Sequence, residues 1–129
     1  MTTAPSLTMY VELGGADAVR ALVNRFYDIM DSDPAVAPLR AMHAADLAPM
    51  RDKLYDWMSA YLGGPQHYFK RPDALCFSAA HSHLAIDATI RDQWLGCMFR
   101  ALDDTGVAPA LQARVRPPLA ELANFLLNR

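Results

Sequence analysis

HSHLAIDATIRDQWLGCM, residues 81–98, decides how the rest of this chain is read: two histidines, a short apolar loop, then an amphipathic segment. Asp87 or Thr89 caps a helix predicted to reach about Asp104, with Ile90, Trp94, Leu95, Met98, Ala101 and Leu102 on its inner face and Gly106 closing it. A histidine among apolar residues supplies one neutral imidazole nitrogen to a metal, and the indole N–H of a tryptophan can only donate. If both face one pocket, the chain has a metal ligand and a donor for whatever the metal binds.

Upstream, the strongest period runs from Asp17 to Met30. Val19, Leu22, Val23, Phe26, Ile29 and Met30 repeat at helical spacing, and Tyr27 lies beside the stripe with its hydroxyl free to point into a pocket. Residues 1–7 read as a tail, after which Ser6 or Thr8 caps a short first helix stopped at Gly14-Gly15. Asp31-Ser32-Asp33-Pro34 ends the long helix and opens a short one reaching about Met42, with His43 in the connection. A further helix is predicted from about Asp46 to Leu62, with Leu47, Met50, Leu54, Trp57, Met58 and Tyr61 on one face and Gly63-Gly64-Pro65 as its stop. Residues 66–74 have no period and read as a loop, followed by a helical piece from Leu75 to His81. The last segment carries Leu111, Val115, Leu119, Leu122, Ala123 and Leu126 at helical spacing; Pro117-Pro118 makes it one kinked helix or two abutting pieces. No stretch alternates with period two over a useful length, so the fold class is all-α, in a single domain of 129 residues.

Composition narrows the function classes. Hydrophobic residues reach 53%, above the usual soluble range, so something apolar is enclosed or a partner surface is covered. A net charge of −2 provides no basic field for nucleic acid or anionic lipid. No run approaches a membrane span, and the first residues lack the basic start and apolar core of a signal peptide, so a soluble cytoplasmic protein is expected. Cys76 and Cys97 form no C-x-x-C pair and read as buried or half-buried free thiols. The histidines His43, His67, His81 and His83 show no zinc-like spacing, and aromatic residues at helical spacing usually just fill a core.

Their order changes that balance. A long helix ends near Phe26-Tyr27; a short helix and His43 follow; Leu54-Trp57-Met58 lie on a helix stopped by GGP; then come His81 and RDQWL. This resembles the truncated haemoglobins, specifically their group II or O-type branch, from roughly Tyr10 to Asn128. The most specific parts are LGG at 13–15, RFYD at 25–28, YLGGP at 61–65, and His81 paired with RDQWLGCM at 91–98. The thirteen-residue step from His81 to Trp94 matches the family spacing between the haem-ligating histidine and its pocket tryptophan.

The resemblance implies a truncated globin fold, a two-over-two α-helical sandwich around haem b. It makes His81 the iron ligand, Tyr27 the distal hydroxyl that hydrogen-bonds an iron-bound gas, and Trp94 a second distal donor. His43 stands at the pocket's far edge, where the family has tyrosine, phenylalanine or histidine. Met50, Leu54, Trp57 and Met58 cover the distal side, Lys53 reaches a propionate, and Tyr68, Phe77, Leu84 and Ile86 complete the expected cofactor contacts. The implied function is reversible binding of O2, NO, CO or another small iron ligand, as a monomer or homodimer. The alternatives are a haem enzyme for NO dioxygenation or peroxide reduction, served by a reductase, and a haem-free helical interaction or sensor domain. His83 competes for the iron, but only His81 keeps the spacing to RDQWL.

The chain departs from the family near that histidine. Ala80 replaces the usual basic residue, the Pro-Phe pair that follows is missing, a Pro-Asp-Ala-Leu stretch replaces the Gly-His-Pro turn, and Asp87 stands where glycine is common. Propionate contacts then fall to Lys53, Tyr68, Lys70 or Arg71.

Overall fold

The computed structural model describes residues 8–72, 81 and 83–129, and every regular element among them is helical. The expected tail at 1–7, Cys76, Phe77 and all but His81 of the predicted 75–81 helix lie outside the described residues.

Thr8 opens α1, Met9–Leu13, by accepting a hydrogen bond from the Val11 N–H (3.2 Å). Gly14 closes it at φ 125°, a conformation that side chains with a Cβ rarely adopt. The long amphipathic stripe forms α2, Ala16–Ser32, in which Val19, Leu22, Val23, Phe26, Tyr27, Ile29 and Met30 are all buried. Asp33 ends α2 in an extended conformation, and its carboxylate accepts from the Ala35 N–H (2.9 Å). With Pro34 in the first turn, the chain enters a 3-10 turn, Pro34–Val36, that runs directly into α3, Ala37–Ala41. His43 falls in the connection that follows, as its position in the sequence predicts.

Helix α4 spans Ala48–Tyr61, with the Asp46 carboxylate accepting from the Ala48 N–H (3.0 Å) and Pro49 in its first turn. At its far end the Gly64 N–H donates back to the Ser59 carbonyl (2.8 Å), and Gly63 sits at φ 89°. The 66–74 stretch differs from the loop expected there: His67–Lys70 form a 3-10 turn with Tyr68 buried. One turn is too short to register as a period, and the burial of a single aromatic ring is what holds it.

Asp87 caps α5, Ala88–Asp104, by accepting from the Ile90 N–H (2.9 Å). The final helix, α6, runs unbroken from Pro109 to Phe125 through Pro117-Pro118, which resolves the open choice in favour of one helix. The two prolines remove donors to the Ala113 and Arg114 carbonyls, and both of those residues are exposed, so water can satisfy them.

Helix α2 packs on α4, and α5 packs on α6; the two pairs meet where α2 crosses α5. Val19, Val23, Phe26, Met98 and Ala101 are wholly inaccessible there. Cys97 joins this core as the buried free thiol that the sequence predicts. Surface ion pairs Arg20–Asp52 (3.0 Å), Arg25–Asp104 (2.8 Å) and Arg100–Asp33 (2.6 Å) bridge the same helices and add little beside that burial. Among the described residues, no helix is long and apolar enough to cross a membrane.

The end of α4 is held to α1 by the Tyr10 N–H, which donates to the Leu62 carbonyl (2.9 Å). A Cβ at Gly64 would overlap the Tyr10 ring. Gly64→Ala is therefore expected to cost about 1–3 kcal/mol by overpacking, read as a lower midpoint in urea denaturation; an unchanged midpoint would show that the ring yields freely.

Candidate functional site

The helix pairs leave a cavity of about 420 Å³. From α2 comes Tyr27, from the turn after α3 come His43 and Ala44, and from α4 come Met50, Lys53, Leu54 and Trp57. Tyr68 of the 3-10 turn, then His81, His83, Leu84 and Ile86, line the other side, and α5 adds Ile90, Arg91 and Trp94. Residues scattered over most of the chain therefore converge on one mostly apolar space with a few polar groups, the usual form of a small-molecule or cofactor site.

Each polar group is placed by the helix that carries it. Tyr27 follows Phe26 on α2, so its ring is buried, 2% exposed, while it still reaches the cavity wall. Burial holds its phenol well above the ordinary tyrosine range, opposed by the Arg51 guanidinium, which lies 5.8 Å from the ring centroid. Arg51 is itself fixed by Asp28 (2.8 Å) and by the Asn24 carbonyl (3.0 Å), tying α4 to α2 beside Tyr27. Trp94 meets Phe26 edge-on, with centroids 5.5 Å apart.

His43 lies 6.1 Å from Tyr27, ring centre to ring centre. Its Nδ1 is 2.9 Å from the Leu39 carbonyl, an atom that only accepts, so Nδ1 carries the hydrogen and Nε2 is left as an acceptor when the ring is neutral. Burial depresses its pKa below the usual histidine value, the Leu39 contact opposes that, and the charges of Arg40 and His81 add to the depression. Leu39 is in turn held by Gln93, whose side-chain oxygen accepts from the Leu39 N–H (3.1 Å). Arg40 reinforces the same connection by donating to the carbonyls of Ala44 and Ala45 (3.0 Å each) and to Asp31 (2.8 Å).

Of the two competing histidines, His81 is half-buried and His83 is exposed, although both touch the cavity. Met58 is the one described member of the expected contact set that turns away. It is 1% exposed in the core between helices, because one residue beyond Trp57 rotates the side chain about a quarter-turn around α4. Phe77 lies outside the described residues. Among the cationic candidates, Lys53 is on the cavity, Arg71 is engaged by Asp56 (2.6 Å), and Lys70 is exposed off the cavity wall.

Arg91 is the cavity-lining cation that sequence reasoning missed as a contact; its guanidinium is shared between Asp92 and Asn124 (3.0 Å each). The signal was available, since Arg91 precedes Trp94 by three residues on one helix face. Leu39, Met42, Ala123 and Leu126 also line the cavity, but only the packing of α3 and α6 against α5 brings them there.

These residues fit a haem. Its plate needs apolar walls, its iron an imidazole, and its carboxylates a cationic or hydroxyl rim. Among the residues lining the cavity, Leu54, Trp57, Ile86 and Trp94 could provide walls, His81 an imidazole, and Lys53, Arg91 and Tyr68 a rim. Among the described residues no three His, Cys, Asp or Glu side chains gather into a metal site. One imidazole from the protein would suffice for an iron whose other ligands come from a porphyrin.

Comparison with known proteins agrees with this architecture. Residues 8–128 match the family model described as bacterial-like globin. The chain is 36% identical to a group II 2-on-2 hemoglobin from Agrobacterium tumefaciens, covering 98% of each chain with a TM-score of 0.91. It is 33% identical to a cold-adapted truncated hemoglobin from Pseudoalteromonas haloplanktis TAC125, covering 95% of this chain and 99% of that one, again with a TM-score of 0.91. The group 2 truncated hemoglobin YjbI of Bacillus subtilis (strain 168) is 27% identical over 115 residues, 89% of this chain and 85% of that protein. The chain therefore belongs to the bacterial-like globin family, as a haem-binding globin of the group II truncated haemoglobins.

Proposed function

We propose that this chain holds haem b through His81 and uses Tyr27, Trp94 and His43 to control a small ligand on the iron, with O2 as the first candidate. The observation that carries the reading is the convergence of His81 with those three polar side chains on one largely apolar cavity. When bound, haem would supply an iron able to take a diatomic molecule as a ligand. The remaining chemistry belongs to the side chains. Tyr27 and Trp94 each offer a hydrogen where a ligand gathers negative charge, and in a low-dielectric cavity such donors act strongly. Leu54, Trp57 and Ile90 exclude water from the same space. Lys53, Arg91 and Tyr68 would meet the propionates, a role supported by their position on the cavity. A cytoplasmic setting, with a reductase to return the iron to its ferrous state, belongs to the same proposal.

A second reading, peroxide reduction, is favoured by one feature. The Leu39 contact leaves His43 Nε2 as an acceptor, so the site offers a base as well as two donors. A ligand that arrives with a proton, such as hydrogen peroxide, can give it to that nitrogen. Repeated turnover with a reductant distinguishes an enzyme from a binding protein that reacts once per chain.

His81→Ala is expected to abolish most haem retention and the intense Soret absorption, and His83→Ala to leave both in place; the reverse pattern would transfer the ligand role. Tyr27→Phe and Trp94→Phe should each speed O2 dissociation by the loss of a hydrogen bond to a charged acceptor, about 1.5–3 kcal/mol or roughly 10- to 150-fold. Unchanged rates in both would remove the distal assignment. Because burial raises the Tyr27 phenol, the hydroxyl keeps its proton through the ordinary tyrosine titration near about pH 10. Alkaline absorbance near 295 nm should then be the same in parent and Tyr27→Phe until the protein unfolds, and a smaller early rise in the variant would contradict it.

A further inference from the structure

The segment that follows α6 is fastened to the loop that follows His81. The Ile86 N–H donates to Asn128 Oδ1 (2.8 Å), and Asn128 Nδ2 donates to the Leu84 carbonyl (2.7 Å). The backbone N–H groups of Asn128 and Arg129 both donate to the Ile86 carbonyl (3.0 and 3.2 Å). The side-chain orientation is forced by its partners, since a peptide N–H must face the amide oxygen and a carbonyl must face the amide nitrogen.

Residues 83–87 have no helix or strand to satisfy their backbone, so their polar groups must find partners elsewhere. Ile86 is buried, which makes its N–H the group least able to turn to water. Leu84 and Ile86 both line the cavity beside His81, and the Leu84 N–H donates to the His81 carbonyl (3.0 Å). The chain of contacts thus runs from Asn128 through Leu84 to the backbone of the imidazole that the proposed function assigns to iron. Asn128 itself is exposed and does not line the cavity, so whatever it does there it does through the loop.

We propose that Asn128 is a positioning residue for the haem site, its amide clamping Leu84 and Ile86 so that His81 is presented to the iron in one orientation. An amide of this length is the side chain that offers the acceptor and the donor together. Alanine supplies neither, and an aspartate carboxylate keeps the acceptor but sets an oxygen against the Leu84 carbonyl. The same loop is where the sequence departs from its family. The Asn128 amide fixes this backbone from another element.

The inference rests on His81 as ligand, and its test separates the two. Haem-loaded parent, Asn128→Ala and Asn128→Asp are compared by the iron–imidazole stretching band of the ferrous protein in resonance Raman spectra, by haem transfer to excess apomyoglobin, and by thermal melting, and His81→Ala is taken through the same haem loading and Raman measurement as the control for the ligand. Both Asn128 variants are expected to shift or broaden the iron–imidazole band and to speed haem loss about 10-fold, the low end of the range for direct partners of a metal ligand, because Asn128 acts through Leu84. Asn128→Asp keeps the acceptor for the Ile86 N–H and replaces the donor to Leu84 by an oxygen, so it carries the test if Asn128→Ala folds poorly. A lower melting temperature with an unmoved band and an unchanged transfer rate would reduce Asn128 to a stabilising contact and overturn the proposal. Loss of the band in His81→Ala supports the ligand reading independently. Retention of the band in that variant would overturn the ligand reading and this inference with it.

Discussion

Where α2 crosses α5, the Phe26 ring is wholly buried and stands edge-on to Tyr27 on its own helix (4.9 Å) and to Trp94 on the other (5.5 Å). Full burial of such a ring contributes about 1.5–3 kcal/mol, so the contact is a substantial part of the helix crossing. It also fixes the two side chains that face the cavity. The residue that seals the core is thus the residue that orients the site, and a change that lets α2 slide on α5 would move Tyr27 and Trp94 relative to one another before it exposed much apolar surface. The ion pairs Arg25–Asp104 and Arg100–Asp33 that flank the crossing are exposed at one or both partners and hold alignment rather than supply stability.

The rest of the cavity is assembled from segments that are not long helices. His43 is held by Leu39, Leu39 by Gln93, and the backbone of residues 44 and 45 by Arg40. On the other side, Leu84 and Ile86 are held by Asn128. Short polar contacts of this kind carry modest net energy, but each fixes an irregular backbone that burial alone would leave free to shift. The site therefore has a rigid side, where helices cross, and two fastened sides, where single side chains bind loop carbonyls and amides.

The helices are legible in the sequence because the apolar stripes of α2, α5 and α6 repeat over many turns, and because Thr8 before α1, Asp33 before the 3-10 turn and Asp87 before α5 each accept a capping hydrogen bond from a backbone N–H. The convergence of Tyr27, His43, His81 and Trp94 is legible only through the order of motifs, since no spacing along a chain states which residues meet across it. Met58 departs from its expected place because Trp57 and Met58 are adjacent and apolar, and only the direction of the helix face separates a cavity wall from a core contact. The turn at His67–Lys70 and the clamp at Asn128 leave no periodic trace, one being a single turn and the other joining segments far apart in the chain. The continuity of α6 through two prolines depends on the exposure of Ala113 and Arg114, which follows from how α6 sits on the core.

The most direct test of haem binding through one histidine is a haemin titration of the apoprotein, followed by absorption spectra of the ferric, ferrous and CO-bound states. The expected result is a sharp endpoint at one haem per chain, an intense Soret band, and a CO complex with the spectrum of iron held by one histidine. A titration without a stoichiometric endpoint, giving the broad spectrum of unliganded haemin that CO leaves without a histidine-ligated signature, would contradict it.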